Sequence, residues 1–196
     1  RLNEEYEADA QADIAGHDVS FEPITVTYRL KEGDSLKLAE GRECRVIETV
    51  GHTRDSLSYY FPDTGIVFVG EAAGVLEHGF IHSPFLVSYE GYIASIAKIR
   101  DLRPRALCIA HNGILTGEAV DRYLVESTAA AVVYQEMVRN YLELYKGDQD
   151  RVVERITREE YEIHPHQIQK RNPYILNLRA KVNAVAEWLA GQKQDT

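Results

Sequence analysis

Three apolar, strand-like runs of this sequence each lead into a polar side chain close to a glycine. Residues 46–50 precede Gly51 and His52, residues 66–69 precede Gly70 and Glu71, and residues 106–110 precede His111 and Gly113. Apolar runs of this length are typical of buried strands, and glycine lets backbone segments approach closely. The pattern predicts a sheet that gathers two histidines and a carboxylate at one edge.

This set of side chains is suited to a metal ion. Two neutral imidazoles and one carboxylate can bind a borderline divalent ion, with zinc as the first choice and iron or manganese as alternatives. Three protein ligands would also leave a coordination position open for water. His52, Glu71 and His111 are therefore the predicted metal ligands.

The order and the local sequences of these three stretches resemble those of the metallo-β-lactamase fold superfamily. The resemblance rests on Gly51-His52-Thr53 with residues 55–60 and 62–65 behind it, on residues 69–72, and on His111-Asn112-Gly113. It covers residues 1–124, and residues 1–161 look most like a branch with C-terminal helices that includes the quinolone-signalling thioesterase. The three stretches together are far more specific than any one of them.

The resemblance implies an α/β fold. We expect residues 1–124 to form the C-terminal part of an αββα sandwich and residues 125–196 to form a helical extension packed on it. The superfamily's leading His-x-His-x-Asp-His motif is absent from the 196 residues. We therefore expect an upstream segment of the same fold, as another fragment or chain, to supply the remaining ligands for one or two ions.

The resemblance also implies roles for the three residues. His52 would bind the first ion, and His111 would complete a second site. Glu71 would bind or bridge and take part in catalysis. The superfamily usually has aspartate at this position, and glutamate reaches about 1.5 Å farther. Glu71 could therefore bridge two ions, bind one, or act through water.

Three further polar residues are candidates for supporting roles. Asp55 is predicted either to orient His52 from behind or to serve in a turn. His78 and His82 lie in a glycine-rich and aromatic-rich loop, 73–84, where they would contact substrate or remain exposed to solvent.

The composition of the chain limits the classes of partner that it can bind. A net charge of -9 disfavours nucleic-acid binding. No apolar run approaches the roughly 18 residues that suggest a membrane span. Small-molecule hydrolysis remains open. Cys44 and Cys108 lie in apolar runs and imply no disulfide framework, so we expect buried thiols and a cytoplasmic protein.

Local patterns predict further elements. Alternation over 24–30 predicts a strand, residues 1–15 a helix, and residues 62–65 a hairpin turn. Apolar residues spaced three to four apart from Tyr123 to Tyr145 predict a long amphipathic helix. Residues 157–160 have the form of a capping box, and residues 172–173 place a cap before a proline.

Three functions are consistent with these residues. The first is metal-dependent hydrolysis of an ester, thioester or lactone-type small molecule. The second is a catalytically degenerate binding or regulatory protein, which the glutamate and the missing motif would suit. The third is mono- or di-iron redox chemistry on the same scaffold, which metal identity would separate from hydrolysis.

Overall fold

The computed structural model describes residues 25–111, 113–163 and 169–192. These residues form the strands β1 Ser35–Lys37, β2 Glu43–Glu48, β3 Leu57–Phe61, β4 Ile66–Gly70, β5 Val75–Glu77, β6 Phe80–His82, β7 Ala106–Ile109 and β8 Gly113–Thr116. Six of them form the main sheet in the order β1-β2-β3-β4-β7-β8, and β5 and β6 form a separate hairpin.

In the described residues one α-helix lies between β6 and β7, and three more follow β8. They are α1 Tyr89–Asp101, α2 Glu118–Leu144, α3 Gln149–Ile156 and α4 Arg171–Gln192. Short 3-10 and π-helical segments span Ala39–Gly41 and Thr157–Glu162. None of the helices in the described part of the chain is long and apolar enough to cross a membrane.

The core lies on one face of the main sheet. β4 and β7 pair in parallel, joined through α1, and send Val67, Val69, Leu107 and Ile109 into it. Residues of α1 and of all three later helices join the same apolar cluster. The later helices therefore pack onto the sheet layer, and Leu124, the predicted domain boundary, lies inside α2.

The opposite face of the sheet carries an apolar stripe across four strands. Tyr59, Phe68, Cys108 and Ile114 are successive register partners on β3, β4, β7 and β8. Phe68 is 48% exposed and Ile114 is 66% exposed. The two faces of one sheet thus differ sharply in how completely they are covered.

The strand–helix–strand order around Glu71 and His111 is confirmed, as are the long helix and the turn at residues 62–65. The strand predicted over 24–30 is wrong for its described part, residues 25–30. Val26 and Tyr28 are exposed there, and sheet pairing begins at β1. Alternation alone cannot make a strand where no neighbouring strand pairs with it.

The capping box predicted at residues 157–160 is also wrong. Asp148 caps α3 by accepting a hydrogen bond from the Arg151 N–H, and α3 continues directly into the π-helical segment. The Thr157 hydroxyl is buried instead of capping a helix. The predicted helix over 1–15 lies outside the described residues.

Candidate metal centre

His52 lies in a loop that is held by the segment leading into α1 and by α1 itself. The Gly51 carbonyl accepts hydrogen bonds from the N–H groups of Leu86 and Val87, at 2.9 and 3.0 Å. Ser95 donates its hydroxyl to the Val50 carbonyl at 2.8 Å. These bonds fix the backbone on the N-terminal side of His52.

Gly51 is required at its position for two reasons. Its φ of +151° belongs to a region that side chains rarely adopt, and a Cβ there would lie 2.6 Å from Tyr92 Cα. The loop can therefore approach α1 closely because residue 51 has no side chain. His52 is therefore placed by the close approach of its neighbour Gly51 to the buried Tyr92 of α1.

Glu71 and His111 are brought together by the parallel pairing of β4 and β7. Glu71 directly follows β4, and His111 comes two residues after β7. The Ala110 N–H donates to the Gly70 carbonyl at 3.1 Å, which joins the two strand ends. Residues 40 positions apart thereby share one edge of the sheet, as predicted.

The Glu71 carboxylate lies between the two histidines. Its Oε2 is 2.6 Å from His52 Nε2, and its Oε1 is 2.8 Å from His111 Nε2. The side chains of His52 and Glu71 are 28% and 25% exposed, and that of His111 is 61% exposed. One carboxylate therefore connects both imidazoles through its two oxygens.

The hydrogen bonds set the protonation of this cluster. The pKa of Glu71 is lowered to about 2, chiefly by the hydrogen bond with His52 and further by His111, against the opposing effect of burial. Burial works to lower the pKa of His52, but the bonds to Glu71 and Pro84 outweigh it and raise that pKa. In the metal-free chain the contact therefore favours the Glu71 carboxylate and the protonated form of His52.

Pro84 supplies the contact that orients His52. The His52 Nδ1–H donates to the Pro84 carbonyl oxygen at 2.6 Å, which directs Nε2 toward Glu71. Metal-binding histidines typically donate their second ring N–H to such an acceptor. The sequence prediction missed Pro84, because no local pattern signals a carbonyl 32 residues away.

The donor set fits a divalent ion chemically. Two imidazole Nε2 atoms and a carboxylate converge at one sheet edge, and one imidazole has its tautomer fixed. In the described residues, however, no group of three or more His, Cys, Asp or Glu side chains is arranged around a common point that could hold an ion. The three groups bond to one another, so an ion would have to replace those hydrogen bonds.

The other predicted site residues lie apart from this cluster. Asp55, predicted either to orient His52 or to serve in a turn, is exposed, and its carboxylate bonds with Thr53, while the Pro84 carbonyl is the group bonded to His52 Nδ1. His78 and His82 are exposed on the β5–β6 hairpin, where a loop was predicted. The hairpin forms because residues 75–77 pair with residues 80–82.

The family assignment agrees with this geometry. The family model described as the Metallo-beta-lactamase superfamily matches residues 2–111, more than half of the chain. The match includes all three residues of the cluster. The chain belongs to the metallo-beta-lactamase superfamily, and its fold is the α/β fold of that superfamily with C-terminal helices.

Individual relatives cover part of the chain. A hydroxyacylglutathione hydrolase of Rhodopseudomonas palustris (strain HaA2) is 34% identical over 89 residues, which are 45% of this chain and 33% of that protein. One of Nitrobacter winogradskyi is 41% identical over 89 residues, with the same coverage. The matches therefore span about a third of these relatives.

Solved structures extend the similarity of fold to the tail. A metallo-beta-lactamase family protein from Thermus thermophilus has a TM-score of 0.59 at 18% identity, covering 98% of this chain and 63% of that one. An archaeal superfamily member from Sulfolobus tokodaii has a TM-score of 0.50 at 17% identity, covering 95% and 64%. This chain spans less than two thirds of either structure.

Proposed function

We propose that the complete protein is a metal-dependent hydrolase of an ester, thioester or lactone-type small molecule. The observation that carries the proposal is the Glu71 carboxylate held between His52 and His111, with His52 oriented by Pro84. The hydroxyacylglutathione hydrolases that match residues of this chain support the thioester class.

His52 and His111 would each present Nε2 to an ion, and Glu71 would bind or bridge with its two oxygens. When bound, the ion would activate water and polarise a carbonyl group. Zinc suits these ligands best, with iron or manganese as alternatives. The Pro84 carbonyl would keep His52 from rotating away while the Glu71 hydrogen bonds are replaced.

The remaining ligands would come from an upstream segment of the same fold. Such a segment would also cover the apolar stripe of Tyr59, Phe68, Cys108 and Ile114. The small-molecule substrate would lie between this edge and the β5–β6 hairpin, where His78 and His82 would contact it. Both cysteines are free thiols in the structure, which favours a cytoplasmic location.

A degenerate binding protein is the second candidate. The observation that favours it is that Glu71 already satisfies both histidines without an ion. Such a closed cluster would stabilise the sheet edge without catalysis. The thioesterase-branch relationship is compatible with both candidates and stays a prediction.

Metal analysis and hydrolysis assays on a chain extended upstream to the length of its relatives would separate the two candidates. Inductively coupled plasma mass spectrometry should find one or two ions of zinc, iron or manganese per chain. A hydroxyacylglutathione thioester, p-nitrophenyl acetate and a simple lactone should show turnover that E71A abolishes and E90Q, an exposed carboxylate on α1, preserves. An extended chain without metal and without turnover would overturn the hydrolase proposal.

A further inference from the structure

Helix α2 carries a second apolar surface on the side that faces away from the core. Its buried residues recur every three to four positions along one face and join the main apolar cluster. On the outer face, Val125, Val132 and Val133 are 54%, 37% and 66% exposed, and Ala129 is exposed between them. An α-helix turns by about 100° per residue, so these four side chains fall within roughly 100° of one another, opposite the buried face. We call them the outer patch.

The outer patch is unfavourable in a monomer. Valine is a weak helix former because its branched side chain loses rotamer freedom against the preceding turn. Three exposed valines in one helix therefore cost helix stability that no burial offsets. A helix that is apolar on opposite faces is normally covered on both. In the part of the chain that the structure describes, the three valines are not covered, so we expect another molecule to pack there.

Opposite charges bound the outer patch at equal distances from its centre. Arg122 lies seven residues before Ala129, and Glu136 lies seven residues after it. Seven residues make almost two helical turns, so both charged side chains lie on the outer face. Both are exposed, and neither takes part in an ion pair within residues 25–111, 113–163 and 169–192. The two charges are therefore available to a partner.

The order of these residues is self-complementary. When two copies of α2 cross antiparallel at Ala129, each residue faces the one that lies equally far on the other side of Ala129 in the partner. Arg122 then faces Glu136 of the partner subunit, and Val125 faces Val133 of the partner subunit. A two-fold axis repeats each contact, as a symmetric dimer requires. A parallel pair would instead place Arg122 against Arg122 of the partner subunit, so the charges favour the antiparallel pair.

We propose that the outer face of α2 is a homodimer interface, in which two copies of the chain pack their α2 helices antiparallel around an axis at Ala129. The outer patch forms the apolar centre, and two Arg122–Glu136 pairs set the direction and register. A single pair of helices buries less than the roughly 800 Å² per partner of a standard interface, so the dimer should be weak. The interface uses no residue of the metal centre, so its failure would leave the hydrolase proposal intact.

Sedimentation equilibrium of the chain, from about 1 to 200 μM, measures a dimer of this strength. R122E and E136R each place like charges opposite each other, so each should weaken dimerisation at least tenfold. The double variant R122E/E136R restores opposite charges and should return the dissociation constant to within about threefold of wild type. K37E makes the same change in net charge as R122E on the exposed edge strand β1, and it should leave the dimer unchanged.

Disulfide cross-linking locates the axis independently. A129C should link two copies on mild oxidation, because the two substituted positions meet at the crossing. Glu143 is also exposed on the outer face, but it lies about 21 Å along the helix from Ala129. The two copies of an E143C position would be about 40 Å apart and should not link. Both variants are made in a C108S chain, since Cys108 is only half-buried.

A chain that stays monomeric at about 200 μM would overturn the proposal, and the outer patch would then belong to a different partner or to an upstream segment. A dimer that R122E does not weaken, or that the double variant does not restore, would overturn it too, because the contact would lie elsewhere. Equal cross-linking of A129C and E143C would have the same meaning. Circular dichroism should show the same helix content in every variant.

Discussion

The two histidines of the centre are held in very different ways. His52 follows Gly51, whose carbonyl is fixed by backbone hydrogen bonds to the segment leading into α1, and the His52 Nδ1–H donates to the Pro84 carbonyl. His111 is 61% exposed and has a positive φ of 69°, and within the described residues its ring is hydrogen-bonded to Glu71. One side of the centre is preorganised, and the other can adjust.

This difference suggests a division of roles. A fixed ligand lowers the cost of ordering the site when an ion binds, whereas a mobile ligand can move to accommodate an ion or a substrate. Glu71 connects the two sides and would transmit any change between them. Substitutions on the His52 side should therefore cost more stability and more metal affinity than substitutions on the His111 side.

Substitution G51A should have the largest effect on stability. The added methyl group would meet the backbone of Tyr92 at 2.6 Å in a conformation that alanine rarely adopts, so we expect a loss of about 2–4 kcal/mol in the free energy of unfolding. Urea denaturation measures it. G113A, where φ is +124° but nothing lies within 4 Å, should cost only about 1 kcal/mol. Equal losses in the two variants would contradict the comparison.

Substitution E71Q should destabilise the metal-free chain by about 1–3 kcal/mol, because it removes two charge-assisted hydrogen bonds. The folded pKa of Glu71, about 2, lies below its ordinary value of 4.5, so its contribution is present above pH 4.5 and is lost as the pH falls toward 2. The raised pKa of His52 makes its share fully present below pH 6.5 and lost as the pH rises through the raised value.

The stability difference between wild type and E71Q should therefore be greatest from about pH 4.5 to 6.5. Urea titrations with chelator, from about pH 3 to 9, would show it. A difference that stays constant across this range would mean that the three groups do not form the charged cluster described above.

In the extended protein, H52A should weaken zinc binding about tenfold more than H111A, a difference of roughly 1.4 kcal/mol. The reason is that H52A removes the preorganised ligand, whereas the structure leaves His111 more freedom. Isothermal titration calorimetry gives both affinities. Equal affinities, or a larger loss for H111A, would show that His52 is not the more important of the two ligands.

Substitution D55N should have the smallest effect. Asp55 is exposed and bonds with Thr53 rather than His52, so stability should change by less than about 0.5 kcal/mol and zinc affinity by less than twofold. A residue that oriented His52 would instead cost about 10–100-fold in affinity. A loss of that size would restore the orienting role of Asp55.

The sequence predicted the three converging residues because their signal is local. Each apolar run ends near a glycine, and the parallel pairing of β4 with β7 turns that repeated pattern into one cluster. The long helix α2 was predictable for the same reason, since its apolar spacing is a property of neighbouring residues.

The features that the sequence did not predict depend on distant partners. The contact between His52 and the Pro84 carbonyl joins residues 32 positions apart, and no spacing along the chain encodes it. The strand predicted over 24–30 also depended on a distant partner. Its described residues, 25–30, alternate in polarity but do not pair with a neighbouring strand.

The apolar stripe on the open face of the sheet has a practical consequence. Cys108 lies in its middle and is half-buried, whereas Cys44 is buried. Alkylation of Cys108 would therefore report whether that face is covered, with the Cys44 thiol as an internal reference. A drop in labelling of Cys108 when an upstream fragment is added would give a footprint of sandwich assembly in solution.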